Sequence, residues 1–189
     1  FALPGTHTDG NLFIEQAILA GANAVVFQGE LSPSQKKDVA TAIIKRTIEN
    51  ELSDEKTKFA PVLINVPDSR FAMAPVSACF YDNPSERLIV IGVTGTEGKS
   101  STVSFIWQYL RACGYKAGFI STVEYSFGDD ALPNPQHQTT PESPVIQHHL
   151  NEMLQNGCTY AVIESSSHGL SSKLNRCGNI IFDCGVFMN

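Results

Sequence analysis

The segment Leu88 to Val93 is an apolar run that leads directly into Thr94-Gly95-Thr96-Glu97-Gly98-Lys99-Ser100-Ser101 and then into an amphipathic stretch. A strand, a glycine loop and a helix in that order restrict the chain to an α/β design. Glycines let the backbone curl until successive N–H groups point inward, and the helix start adds its unpaired amides and partial positive charge. Such a concavity suits a polyphosphate. Lys99 would reach the β and γ phosphates, and the Ser100 hydroxyl would ligate an accompanying magnesium ion. The strict pattern asks for glycine five positions before Gly98, where Val93 stands; the glycines fall at Gly92, Gly95 and Gly98. The plainer alternative is a tight glycine turn with a surface lysine at a helix start.

The rest of the chain repeats the alternation. Strands are expected at 24–27, 61–66, 87–93, 116–122, 160–163 and 180–187, and helices near 11–20, 35–50, 69–80, 100–113 and 142–156. In the fourth helix Val103, Ile106, Trp107 and Leu110 form one apolar stripe for packing on a sheet. The turn-rich Tyr81 to Glu86 segment is the expected domain break, giving one small α/β domain over 1–84 and a second over 85–189. Gly128 to Pro141 reads as a long functional loop. The chain opens on Phe1-Ala2-Leu3-Pro4 as if inside a strand and closes on an apolar run, so a fragment is expected.

A net charge of −6 with interspersed signs gives no footprint for nucleic acid or an anionic membrane, so an anionic ligand must be met by local amides and a few placed cations. No apolar run is long enough to span a bilayer and no secretory signal opens the chain, so a cytoplasmic protein without membrane insertion is expected; a monomer is expected too. Cys79, Cys113, Cys158, Cys177 and Cys184 form no Cys-x-x-Cys pair and read as reduced core residues. The adjacent His148 and His149 lack helical ligand spacing, which favours a solvated or packing role.

A second carboxylate enters at Glu164, which follows apolar Tyr160 to Ile163 and precedes Ser165-Ser166-Ser167-His168-Gly169-Leu170. At the C-terminal end of a parallel strand it would face the ligand edge of the sheet and could share magnesium with Ser100. Equally, it could be a strand-end residue ahead of a helix-capping serine cluster.

Gly92-Val-Thr-Gly-Thr-Glu-Gly-Lys-Ser-Ser101 resembles the variant phosphate loop of the Mur ligases, G-V-T-G-T-N-G-K-T-T, with Glu97 and Ser100 replacing Asn and Thr. Glu164 to Leu170 is similar to E-V-S-S-H-G-L, found in the branch that adds the third peptide residue to UDP-N-acetylmuramoyl-L-alanyl-D-glutamate. Thr139-Thr140-Pro141-Glu142 resembles that branch's T-T-P-E, and Phe1 to Gly10 its opening F-V-A-L-P-G-x-x-x-D-G.

The resemblance implies a small uridine-nucleotide-binding α/β domain followed by a truncated P-loop ATPase-type domain with a mainly parallel sheet. It implies ATP and Mg2+ as cofactors, with a UDP-muramoyl-peptide and a free amino acid as the molecules joined. Lys99 and Glu164 would be catalytic; Gly95, Thr96, Glu97, Gly98, Lys99, Ser100 and Ser101 would hold ATP; Ser100 and Glu164 would hold the metal. Thr6, His7 and Thr8 would line the uracil site, and Thr139, Thr140 and Ser167 the diphosphate or muramoyl region. His168 would contact substrate or order its loop. Ser172 and Leu174 stand where the family often has Gln or Leu and then Arg; the nearest arginine is Arg176, and either it takes the substrate-clamping role from a shifted position or a segment outside this sequence supplies it.

The family's second metal site and its C-terminal domain lie outside this sequence, so little ligase activity is expected of these residues alone. Other members, namely the next Mur enzyme, folate polyglutamyl ligases and cyanophycin-type enzymes, share the loop. A non-catalytic nucleotide-binding module is the remaining reading.

Overall fold

The computed structural model describes residues 1–5, 7–51, 60–135 and 138–189. Thr6 therefore lies outside the described residues. Two compact units divide the chain, Phe1–Ala72 and Met73–Asn189. This division falls within the helix Ser69–Phe80, shortly ahead of the Tyr81 to Glu86 turn at which sequence reading places the domain break.

In the first unit a short 3₁₀ turn, Gly10–Phe13, leads into α1, Ile14–Leu19. Asp9 starts it, its carboxylate accepting from the Asn11 amide at 3.0 Å, as an N-cap residue does. Strand β1, Ala24–Phe27, pairs in parallel with β2, Val62–Asn65, and α2, Pro33–Glu51, is the crossover between them. Ile14, Ile18, Val25, Phe27, Val39 and Ala42 form the core. Gln28 ties the start of α3, Ser69–Phe80, to this unit by accepting from the Ser69 amide at 2.8 Å.

The second unit is built on a six-stranded sheet in the order β6-β5-β4-β7-β3-β8. Strands β3 (Ile89–Thr94), β4 (Ala117–Ile120), β7 (Tyr160–Glu164) and β8 (Cys184–Phe187) are parallel; β5 (Glu124–Ser126) and β6 (Leu132–Pro133) add an antiparallel edge. Alternation along the strands sends Val90, Ile120, Ala161 and Ile163 to one core, where Ile146, Leu150 and Met153 of α5 (Ser143–Gln155) meet them. It sends Val93, Ala117, Phe119 and Val162 to the other, against Val103 and Trp107 of α4 (Lys99–Ala112). The result is a sheet covered on both faces, as parallel strands require. The Trp107 indole also donates to the Ala117 carbonyl at 2.8 Å, so its polar end is satisfied inside the core. Each large side chain buried this way contributes about 1.5–3 kcal/mol.

Three expectations change in detail. The last strand is confined to Cys184–Phe187, because Asn179 turns the chain at φ 58° and the Asp183 carboxylate takes the Val90 amide at 2.8 Å. Cys158 and Cys177 are buried but Cys79, Cys113 and Cys184 are exposed, so most of the cysteines are not core residues. The expected loop over 128–141 contains β6, which its proline and polar neighbours concealed; Gln136 and His137 lie outside the described residues. No helix among the described residues is long and apolar enough to cross a membrane.

Candidate functional site

The central strand β3 places the glycine loop at the carboxyl edge of the sheet. Val93 pairs with Glu164 on the adjacent β7, and the Ser165 amide donates to the Val93 carbonyl at 2.8 Å. Glu164 is therefore beside the loop by strand register.

Gly95 has φ +142°, and a Cβ there would lie 2.2 Å from the Met188 carbonyl oxygen, so both the bend and the passage of the chain after β8 demand glycine. The Met188 amide donates to the Thr94 carbonyl at 2.7 Å, and the Thr96 amide to the Asn189 carbonyl at 2.9 Å. Gly98 caps α4 in the left-handed region, at φ 76°, with no side-chain cap. Around this cap the backbone N–H groups of Glu97, Gly98, Lys99, Ser100 and Ser101 find no acceptor among the described residues. Consecutive unpaired amides at a helix start are an anion receptor. The Lys99 ammonium folds back to the Thr96 carbonyl at 2.9 Å, placing a positive charge on the loop. Glu97 is exposed and joins no ion pair among the described residues.

Glu164 is 2% exposed. Its Oε2 accepts from the Ser100 hydroxyl at 2.9 Å and from the Thr122 amide at 2.8 Å, while no cation pairs with it among the described residues. A buried carboxylate without a counter-ion costs several kcal/mol, so the arrangement fits a bound cation. One carboxylate and one hydroxyl, with phosphate and water oxygens completing the shell, suit magnesium. Among the described residues no group of three or more His, Cys, Asp or Glu could hold a metal by itself, so the ion would depend on its anionic ligand. Beside Ser100 a cavity of about 270 Å³ is lined by Ser100, Ser101, Ser104, Phe105, Ser121 and Glu124, among others. A larger depression of about 480 Å³, at Phe80, Tyr81 and Arg87, includes none of the loop residues.

The Ser165 to Leu170 segment carries the helix-capping serine that one of the two readings of the sequence expects. Glu164 faces the loop, and Ser166 is also a helix cap: its hydroxyl accepts from the Gly169 amide at 3.0 Å at the start of α6, Ser167–Leu170. Ser167 and His168 are exposed on that helix. Thr139 is half-buried and bonded to Thr122, Oγ1 to Oγ1, at 3.0 Å. Thr140 is 1% exposed and its hydroxyl accepts from the Ser166 amide at 2.8 Å, so it braces the turn and presents no surface to a ligand. Arg176 is engaged with Thr140 and Glu142.

In the first unit His7 and Thr8 are exposed on the turn closed by the Gly5 amide and the Thr8 carbonyl at 3.0 Å. The nearby cavity of about 110 Å³ is lined by Phe1, Phe13, Ile14 and their neighbours and does not include His7 or Thr8. Sequence reading missed Thr122, whose amide holds Glu164; its only signal is its place at the end of the strand run 116–122.

Fold and loop together are those of a P-loop α/β protein. Residues 93–189 match the Mur ligase middle domain and residues 1–77 the Mur ligase family catalytic domain, and the chain belongs to the Mur ligase family. Over 189 residues it is 52% identical to the UDP-N-acetylmuramyl-tripeptide synthetase of Treponema denticola, covering all of this chain and 31% of that protein. It is 34% identical to the UDP-N-acetylmuramoyl-L-alanyl-D-glutamate--2,6-diaminopimelate ligase 1 of Clostridium acetobutylicum, covering all of this chain and 33% of that one. The chain thus spans about a third of the length of these relatives. A solved UDP-N-acetylmuramoyl-L-alanyl-D-glutamate--2,6-diaminopimelate ligase shares the fold, with a TM-score of 0.58 at 21% identity over 89% of this chain and 34% of that one.

Proposed function

We propose that this chain is the nucleotide-handling part of an ATP-dependent amide ligase that adds a third residue, a diamino acid, to UDP-N-acetylmuramoyl-L-alanyl-D-glutamate in peptidoglycan precursor synthesis. The observation that carries the reading is the row of unpaired amides from Glu97 to Ser101 beside the counter-ion-free Glu164. A carboxylate is a poor electrophile in water. Transfer of the γ-phosphoryl group of ATP to it gives an acyl phosphate and ADP; the incoming amine then attacks the acyl carbon, and inorganic phosphate leaves.

The residues of this chain do the positioning and neutralise charge, as in phosphoryl transfer generally. Amides of the loop hold the phosphates, and Lys99 swings from the Thr96 carbonyl to the transferred group. Ser100 and Glu164 would hold magnesium, which when bound would offset the negative charge of the phosphates. Thr139 and Ser167 border the diphosphate or muramoyl region, and Thr6, His7 and Thr8 the uridine. The domains are assigned as 1–84 for the nucleotide sugar and 85–189 for ATP. The enzyme is read as cytoplasmic and as acting as a monomer.

Phosphate release by the complete ligase tests this. Release that depends on both the muramoyl dipeptide and a diamino acid, and that is lost in Lys99→Ala, is expected. Release indifferent to both co-substrates would leave only a nucleotide-binding module.

A further inference from the structure

Resting on that reading, we propose that Arg176 is a positioning residue that pins the Thr139–Thr140 turn between the two ends of the site and does not itself grip the substrate. Its guanidinium is already engaged. Nη1 donates to the Thr140 carbonyl at 3.0 Å, while Nε and Nη2 donate to Glu142 Oε1 at 3.2 and 3.0 Å. All three nitrogens of the fork therefore point into one turn, which is the geometry of a tether. Side-chain exposures of 21% for Arg176 and 33% for Glu142 leave the pair partly screened, so its worth lies in orientation more than in raw charge.

The pinned turn bridges two strand ends. On one side Thr140 accepts the Ser166 amide at 2.8 Å, and its methyl sits 2.4 Å from where a Cβ on Gly169 would be; only glycine lets α6 approach so closely. On the other side Thr139 meets Thr122 at 3.0 Å, and the Thr122 amide holds Glu164 at 2.8 Å, on the oxygen that also meets Ser100. A contiguous set of bonds thus runs from Arg176 through adjacent residues 140 and 139 to the carboxylate beside the phosphate loop. The substrate-side residues on this frame are carried by it: the exposed Ser167 by α6 and the half-buried Thr139 by the turn. Release of the arginine loosens both at once.

Steady-state kinetics of the complete ligase with Arg176→Ala, Glu142→Ala, the double variant and Arg176→Lys separate a tether from a direct clamp. A tether predicts that either alanine raises KM for the UDP-muramoyl dipeptide about tenfold. It also predicts kcat within a few-fold, a double variant no worse than the worse single one, and partial rescue by Lys through the Thr140 carbonyl. A KM raised by Arg176→Ala but untouched by Glu142→Ala, with additive effects in the double variant, would overturn the proposal. Should the wild-type ligase not turn over the muramoyl dipeptide at all, the ligase reading fails while the tether remains testable by hydrogen exchange. Faster exchange of the Ser166 and Gly169 amides in Arg176→Ala supports it, and unchanged exchange refutes it.

Discussion

The Ser100 hydroxyl donates to Glu164 Oε2 at 2.9 Å, linking the first turn of α4 to the last residue of β7. The same oxygen accepts the Thr122 amide, so Glu164 has a structural duty as well as a proposed metal-binding one. Glu164→Ala leaves a buried hydroxyl and an amide without an acceptor and is expected to cost about 1–3 kcal/mol in urea unfolding. Glu164→Gln keeps an acceptor and removes the charge; it is expected to keep stability within about 1 kcal/mol while turnover falls on the order of 10²-fold or more.

Gly95→Ala is expected to deform the loop, since its Cβ would lie 2.2 Å from the Met188 oxygen. Calorimetry should show ATP binding lost. Gly157→Ala is the matched control: φ is also positive, at +80°, but nothing lies within 4 Å. It should cost about 1–2 kcal/mol of stability and leave nucleotide affinity unchanged.

His149 on α5 is held near pKa 4, against an ordinary 6.5, by burial first and by the neighbouring His148 charge second. Its ring stacks on Tyr125 with centroids 5.5 Å apart and meets the edge of Phe127 at 5.0 Å, while its buried Nδ1 has no hydrogen-bond partner among the described residues. The unfolded chain protonates this imidazole near 6.5 and the folded chain only near 4, so between those values acid favours unfolding. Its stabilising contribution is present above pH 6.5, declines as pH falls, and is gone below about 4, a loss of about 3 kcal/mol. Urea titrations at pH 7 and pH 4 should show that loss, and His149→Phe should reduce it; an identical loss in the variant would assign the acid sensitivity elsewhere.

Cys79, Cys113 and Cys184 are exposed, whereas Cys158 and Cys177 are buried. Burial pushes the Cys177 thiol up to about 11, against smaller downward pulls from Ser165 and Arg176. Thiol titration at pH 8 should modify the exposed cysteines quickly and the buried pair only after denaturant is added. Rapid modification of Cys177 in the native protein would contradict the packing around Ser165.

The parallel core was legible because its strands are continuous apolar runs: Leu88 to Val93 and Tyr160 to Ile163 could be little else once a glycine loop followed one and a carboxylate the other. The short antiparallel edge was not. Glu124–Ser126 and Leu132–Pro133 carry too few alternating positions to stand out from their polar surroundings, and their pairing is set by the neighbour β4. The site divides similarly. Lys99, Ser100 and Glu164 announce themselves by type and position, whereas the roles of Thr122, Thr140 and Arg176 depend on contacts between segments far apart in sequence. The buried Thr140 and half-buried Thr139 differ by one residue, and no local pattern distinguishes them.

A crystal structure of the complete ligase with a nonhydrolysable ATP analogue and magnesium tests the central claim most directly. The expected density is a triphosphate over the amides of residues 97–101, with the ion about 2.0–2.1 Å from the Ser100 hydroxyl and Glu164 next to it, directly or through a water. A triphosphate bound elsewhere, with the Ser100 to Glu164 hydrogen bond still in place, would contradict it.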